Sequence, residues 1–403
     1  MKIGIIKERK TPPDRRVVFT PEQLYTINQK YPDLEIVVEP SDIRIFRDGD
    51  YEDKGIKLSK DLSKCDVLIG VKEVPVENLI PNKDYFFFSH TIKKQPYNRE
   101  LLQKILEKNI NLFDHETLTD KRGSRLIGFG RYAGIVGVYN GFRAFGKRGK
   151  IFDLPKVENL ADYEAVKKAL SEHVKLANLK ITLTGRGKVA YGAREILEYL
   201  KIREVNVENY LSSDYDEPVF CQIDFSDYNQ KKDGSHISKK EFYNHPERFK
   251  SNFMRFAKVT DFLITGHFYG EGNPYLFTRE DAKKVDFNIN LVADITCDID
   301  GPVASTIRPA TIEYPFYGYD PVTESEVDFN AKGAITVMAV DNLPCELPKD
   351  ASDGFGEMFF NEVLPAIVHN DPEGILKRAQ ITKNGELTEK FSYLQDFVDG
   401  KES

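Results

Sequence analysis

Short apolar runs alternate with amphipathic stretches from the first residues onward. Strand-like runs occur at Ile3–Ile6, Leu34–Val38, Asp66–Val71, Tyr85–Ser89, Ile110–Asp114 and Leu126–Phe129. Between them, Pro21–Lys30 and Asn98–Lys108 space their apolar residues at helical intervals, with Leu101, Leu102, Ile105 and Leu106 on one face. Such alternation predicts a mostly parallel sheet with helices packed on it. Tyr132–Ala144, rich in glycine and alanine, predicts a helix that packs closely and leads into a second domain. There the pattern resumes, with strands expected at Ile181–Thr184, Val205–Val207, Phe262–Thr265, Leu291–Ile295 and Ile335–Val340. A polar, aromatic insertion, about 212–251, separates the second and third of these, with a turn at Asp233-Gly234. A Phe- and Met-rich helix around Gly356–Ile367 is expected to fold back on the first domain, because the chain beyond the second domain is too short for a third core. The expected architecture is α/β, two Rossmann-like domains with parallel sheets, the first completed by C-terminal helices. The boundaries fall at 1–130 plus 348–403 for a substrate domain and 131–347 for a dinucleotide-binding domain.

The glycines say most about chemistry. In Lys180-Ile-Thr-Leu-Thr-Gly-Arg-Gly-Lys-Val-Ala-Tyr-Gly192 an apolar run enters a turn at Gly185 and Gly187 and leaves through a helical pattern. Glycines let the backbone turn tightly and approach a pyrophosphate, and the first-turn N–H groups and helix dipole attract its charge. Gly185, Gly187, Lys188, Val189 and Gly192 are therefore candidate cofactor-binding positions. Ala190 stands where the third glycine of the commonest fingerprint would fall. Glu208 lies about twenty residues on, where a carboxylate usually receives a ribose hydroxyl.

The first half places cations and acid/base groups at strand ends. Lys72 closes Val67–Val71, and His90 closes Tyr85–Ser89. Lys93 comes just after His90, Arg125 precedes Leu126, and Glu116 succeeds His115. Ligands in open α/β sheets bind outside the carboxyl ends of strands. A lysine near other cations has its charged form disfavoured and can serve as a base; histidine needs no such help. Arginines suit carboxylates through paired hydrogen bonds. Several cations around an acid/base pair suggest a substrate with more than one carboxylate. His115, His173, His236, His245, His267 and His369 show no ligand spacing and are read as structural or exposed, and no metal site is expected.

Composition narrows the class. The chain has 403 residues, 40% hydrophobic and 30% charged, with a net charge of −7, which argues against a general nucleic-acid or anionic-membrane binder. Cys65, Cys221, Cys297 and Cys345 form no metal or redox pair and suit a reducing, cytoplasmic setting. The N-terminal apolar run is too short for a signal peptide, and no run approaches the roughly 18 residues of a membrane span.

These residues also carry a resemblance. Arg16-Val-Val-Phe-Thr-Pro21, Gly70-Val-Lys-Glu73, Phe87-Phe-Ser-His-Thr-Ile-Lys93, Gly128-Phe-Gly130, the Gly185 turn, His245-Pro-Glu-Arg-Phe249, Asp294-Ile-Thr-Cys-Asp298, Thr311-Ile-Glu-Tyr-Pro-Phe316 and Asp341-Asn-Leu-Pro344 occur in order. In these motifs the chain resembles the lysine–2-oxoglutarate reductase half of aminoadipic semialdehyde synthase. It resembles more distantly the lysine-forming saccharopine dehydrogenases, which group with alanine dehydrogenase and transhydrogenase. The resemblance implies an enzyme that joins lysine to 2-oxoglutarate and reduces the imine to saccharopine with NAD or NADP. It implies Lys72 and His90 as the acid–base pair and Arg16, Lys93 and Arg125 as substrate contacts, with Glu73 and Glu116 beside them. Asp298, Asp341, Asn342 and Leu343 fall toward the nicotinamide end. Glu208 favours NAD, whereas Arg186 or Lys188 could bind the phosphate of NADP, so the choice stays open. A second dehydrogenase half is not expected, nor is cleavage of saccharopine to glutamate and semialdehyde. Rival readings are an alanine-dehydrogenase-like enzyme and a nucleotide-binding module without turnover. The sequence does not reveal the oligomeric state.

Overall fold

The computed structural model describes residues 1–270 and 272–401. The chain forms two compact units, one of Met1–Phe129 with the stretch from Pro348 onward, the other of Gly130–Leu347.

In the first unit the strands are β1 (Lys2–Ile5), β2 (Glu35–Val38), β3 (Lys57–Leu58), β4 (Val67–Ile69), β5 (Asp84–Phe87) and β6 (Asn111–Asp114). They form one parallel sheet in the order β3-β2-β1-β4-β5-β6. Both faces are covered, so the central strands are apolar throughout. Alternate side chains separate into two cores. Ile3, Ile5, Val67 and Ile69 pack with Phe355, Phe359 and Val363. Leu68, Tyr85 and Phe87 pack with Leu101, Leu102 and Ile105. The first of these cores is completed from the C-terminus by a helix, Pro348–Met358. It passes through a π-turn at Phe359–Val363 into Leu364–Val368. Pro365 has no N–H to donate, which accounts for the altered register before it.

Leu126–Phe129 is not a strand. The sheet edge beside β6 is taken by the C-terminal chain, where Ile381 N–H donates to the Leu112 carbonyl at 2.8 Å. Residues 126–129 instead turn apolar side chains inward; Ile127 is buried and Phe129 stacks on Phe355 at 4.6 Å.

The second unit contains β7 (Lys180–Thr184), β8 (Arg203–Glu204), β9 (Val219–Ile223), β10 (Asn229–Lys231), β11 (Phe249–Ser251), β12 (Phe262–Thr265), β13 (Leu291–Asp294), β14 (Phe316–Asp320), β15 (Ser325–Val327) and β16 (Ile335–Met338). Eight of them make one sheet, β15-β14-β16-β13-β12-β7-β9-β8, parallel except for β14 and β15. β10 and β11 form a separate antiparallel pair.

Val205–Val207 is not the strand beside β7. Asn206 caps a helix, Val207–Ser212, by accepting from Asn209 N–H at 2.9 Å. Val207, Tyr210 and Leu211 turn one helical face into the core. The neighbour of β7 is β9, which lies inside the stretch read as an insertion. Among the described residues no helix is long and apolar enough to cross a membrane.

Candidate active site

In the first unit, β4, β5 and β6 are parallel neighbours in continuous register, so their carboxyl ends share one edge. Lys72 and Glu73 leave β4 there, His90 leaves β5, and Glu116 leaves β6. Two buried carboxylates hold these exits. Glu8 accepts from Val71 N–H and Lys72 N–H, both at 2.8 Å. Burial, reinforced by the Asp14 charge, pushes its carboxyl up to about 8 against those donors. Asp114 accepts from Ser89 N–H at 2.9 Å, His90 N–H at 3.2 Å and Glu116 N–H at 2.6 Å, and from the Ser89 hydroxyl. It thereby ties the β5 and β6 exits together and supports His90 in a left-handed backbone conformation, φ 54°.

His90 Nδ1 lies 2.6 Å from Glu73 Oε1, and Lys10 Nζ is 3.3 Å from Glu73 Oε2. Burial raises the Glu73 carboxyl, but the His90 hydrogen bond and the charges of His90 and Lys10 outweigh it and hold the group down to about 2. An ionised Glu73 accepts from Nδ1–H, which fixes the ring and leaves Nε2 as its other nitrogen.

Arg16 is buried and spends its fork on Asp14, Nε to Oδ1 at 3.0 Å and a terminal nitrogen to Oδ2 at 2.6 Å, with its guanidinium over the Phe129 ring at 4.1 Å. The Arg16 guanidinium is thus held between the Asp14 carboxylate and the Phe129 ring. Burial pushes the Asp14 carboxyl up; the Arg16 pair and the Lys72 charge overcome this and bring it to about 2. Glu116 Oε1 takes Arg125 at 3.1 Å and Lys93 Nζ at 3.5 Å. Both cations are about half exposed. Glu116 Oε2 is buried without a hydrogen-bond partner.

His115, next to Glu116, takes no part. Its Nε2 sits 2.8 Å from the Gly70 carbonyl among Phe88, Phe355 and Phe359, and burial lowers it to about 3. Lys10, Glu8, Asp14 and Asp114 were not foreseen as site residues. Asp114 had a visible signal, an acidic residue ending an apolar strand.

In the second unit, register runs unbroken from β9 through β7, β12 and β13 to β16, so five strand ends form one edge. Gly185 turns the chain at φ 91°, and a Cβ there would stand 2.7 Å from the Gly266 carbonyl oxygen. Gly187 caps the helix Lys188–Tyr199 and has no atom within 4 Å of where its Cβ would be. Protein packing therefore leaves open space above the helix N-terminus, next to Lys188 and Val189, as a pyrophosphate requires. Gly192 does something else. Its Cβ would lie 1.8 Å from the Arg131 carbonyl oxygen, and that of Gly134 would lie 2.0 Å from Val189 O. These two glycines let helix Gly130–Gly149 cross helix Lys188–Tyr199 backbone to backbone, so Gly192 belongs to packing.

Glu208 sits exposed in the first turn of Val207–Ser212. The acidic residue at the end of β9 is Asp224, whose Oδ2 is 3.4 Å from Arg186 Nε and whose Oδ1 accepts from Ser226 N–H at 3.0 Å. At the end of β12, His267 Nδ1 is 2.7 Å from the Thr184 hydroxyl, and burial keeps the ring down at about 4, neutral at pH 7. Asp294, ending β13, is buried and accepts from the hydroxyls of Thr265, Thr296 and Thr306, each at 2.6 Å. Asp298 lies in the next loop. Beyond β16 come Asp341, exposed, Asn342, half-buried, and Leu343, buried beside Gly137.

Residues 4–136 match the family described as alanine dehydrogenase/PNT, N-terminal domain. Over 97% of its length the chain is 31% identical to an alpha-aminoadipic semialdehyde synthase of Arabidopsis thaliana, and over 96% it is 28% identical to the mitochondrial protein of that name from Mus musculus. It spans less than half of each, 41% and 47%. A saccharopine dehydrogenase [NAD(+), L-lysine-forming] of Yarrowia lipolytica is 23% identical over 90% of this chain and 92% of its own. Among solved structures, an L-alanine dehydrogenase covers the whole chain with a TM-score of 0.64 at 16% identity, and a transhydrogenase from Sinorhizobium meliloti covers 96% with 0.56 at 14%. The last two establish the fold. The resemblance drawn from the motifs is borne out by the named relatives.

Proposed function

We propose that this chain, related along nearly its whole length to semialdehyde synthases and lysine-forming saccharopine dehydrogenases, is a nicotinamide-dependent oxidoreductase that interconverts L-lysine plus 2-oxoglutarate with saccharopine. The observation that carries the reading is the edge of the first sheet. A carboxylate-anchored histidine and a lysine on adjacent strand ends stand with two half-exposed cations around one carboxylate. Lys93 and Arg125 suit the carboxylates of a keto-diacid. Lys72 and His90 suit the proton transfers of imine formation, in which the amine loses protons and the departing oxygen leaves as water. Asp14, held by Arg16, lies within the field of the Lys72 charge. Glu73 fixes the His90 ring, and Asp114 fixes its backbone.

The turn of the second unit suits NAD or NADP, which when bound supplies or accepts the hydride. Gly185, Gly187, Lys188 and Val189 would hold the pyrophosphate. We assign the adenosine ribose to Asp224 instead of Glu208, because Asp224 ends the strand next to the glycine turn. Its neighbour Arg186 suits a 2′-phosphate, so the pair is where cofactor choice is made. The nicotinamide end falls to Asp298, Asp341, Asn342 and Leu343.

The test is absorbance at 340 nm with lysine, 2-oxoglutarate and either reduced cofactor. Consumption that requires both substrates is expected. Turnover with pyruvate and ammonia but not with lysine would transfer the chain to the alanine type, and no turnover with tight cofactor binding would make it a binding module.

A further inference from the structure

Between β9 and β12 the chain makes an excursion that the sheet does not need. From Asp224 it passes through a short helix, Phe225–Tyr228, and the β10–β11 pair, with a helix at Lys239–Asn244 between the two strands. This excursion returns aromatic rings to the carboxyl edge of the sheet. Phe242 is buried and packs edge-on against Phe249 at 5.2 Å, which anchors the helix. Tyr243 leans on Phe242 at 5.4 Å and on Phe225 at 6.5 Å. From the other side Phe268 extends past the end of β12, and its centroid is 6.2 Å from that of Tyr243 at 50°.

Phe268 is 72% exposed and Tyr243 40% exposed, so neither ring is required to fill the core. Their position is specific. Phe268 adjoins His267, whose imidazole bonds Thr184 and whose backbone meets Gly185. Tyr243 rests on Phe225, the residue after Asp224. The two rings thus flank the interval between the ends of β9 and β12, on the side of the glycine turn away from β13 and β16. In a dinucleotide fold the adenosine end occupies the side of the strand that carries the ribose acid. Both rings are exposed, and the Asp224–Arg186 pair adjoins Phe225, on which Tyr243 rests.

We propose that Phe268 and Tyr243 form the stacking platform for the adenine of the dinucleotide, with Tyr243 supplied by the excursion between β9 and β12. This rests on the cofactor reading above and deepens it. Stacking on an aromatic face is independent of a 2′-phosphate, so the platform serves NAD and NADP alike, while discrimination stays with Asp224 and Arg186.

The chain contains no tryptophan, so Phe268→Trp installs a single indole at the proposed contact. ADP-ribose, which carries the adenosine and pyrophosphate but no nicotinamide, should quench it, and nicotinamide mononucleotide should not. Phe268→Ala and Tyr243→Ala should each weaken ADP-ribose by about 5- to 150-fold, the span of base–aromatic stacking. Phe268→Tyr should restore most of the affinity. Gly187→Val separates the two failures. If it leaves ADP-ribose binding intact, the cofactor reading falls. If it abolishes binding while both alanine variants bind like the parent, the platform falls and the cofactor reading stands. A Phe268→Ala protein that changes only its sedimentation would also overturn the platform and mark the patch as a contact between copies.

Discussion

Two glycines of one motif should respond oppositely to a single methyl group. At Gly192 an added Cβ would meet the Arg131 carbonyl oxygen at 1.8 Å, with Arg131 C at 2.7 Å. These are backbone atoms of a helix that is itself pinned, since Gly134 leaves no room at Val189 O. A normal contact would require the two helices to separate by more than an ångström over their whole crossing. Overpacking of this kind costs typically about 1–3 kcal/mol, and the rigid partner argues for the upper end. For a unit of this size each kcal/mol lowers the melting midpoint by about 2–4 °C, so Gly192→Ala should lose roughly 6–12 °C. At Gly187 the same methyl meets nothing within 4 Å, and φ −89° suits any residue. The unfolded chain loses about 0.4–1 kcal/mol of entropy advantage, which offsets most of the change at a helix cap. Gly187→Ala should therefore melt close to the parent, whereas Gly187→Val, which carries two more carbons into the open space, should fail to bind ADP-ribose in calorimetry. Gly192→Ala should bind it while folded. A Gly192→Ala protein with the parental melting midpoint, or a Gly187→Ala protein as unstable as Gly192→Ala, would refute the division of labour.

Lys72→Met and His90→Gln should each lower turnover by about 10²–10⁴ with ADP-ribose affinity unchanged, measured by steady-state kinetics and calorimetry; if the pair acts as one unit, the double variant should lose far less than the product. Wild-type turnover in either would end the acid–base assignment. Arg125→Met should raise KM for 2-oxoglutarate by tenfold or more with little change in KM for lysine, since we assign Arg125 to a carboxylate of the keto-diacid; an equal effect on both would disprove its role. Glu346 is buried, with Asn140 Nδ2 donating at 2.8 Å, and burial pushes its carboxyl up to about 8. A folded-state value above the unfolded one gives stability that is complete below about pH 4.5 and is lost as pH rises through about 8. Glu346→Gln should flatten that loss between pH 5 and 9 in denaturant titrations, because its amide can also donate to Asn140 Oδ1, which is buried without a partner. An unchanged pH slope would disprove it.

Much of this protein is local. Val67–Ile69, Tyr85–Phe87 and Leu291–Ala293 are apolar because both faces of a parallel strand are buried, and that signal needs no partner to be read. Lys72 and His90 were visible as polar residues just past such runs, and the Gly185-x-Gly187 turn as a break between a strand and a helix. What the sequence could not decide was which run joins which. Val205–Val207 and Val219–Ile223 are both short and apolar, and only the pairing Ile181↔Phe220 shows that the second lies beside β7. With that strand moves the acidic residue we propose for the ribose, from Glu208 to Asp224. The partners at the edge were equally hidden. Glu8 and Asp14 reach the exit of β4, and Glu73 reaches His90, by contacts far apart in the chain, where burial and charge set each proton affinity. The pairing of Arg16 with Asp14, two residues away, likewise appears only in the fold. Periodicity reports whether a residue faces a core; it does not report which charge it will meet there.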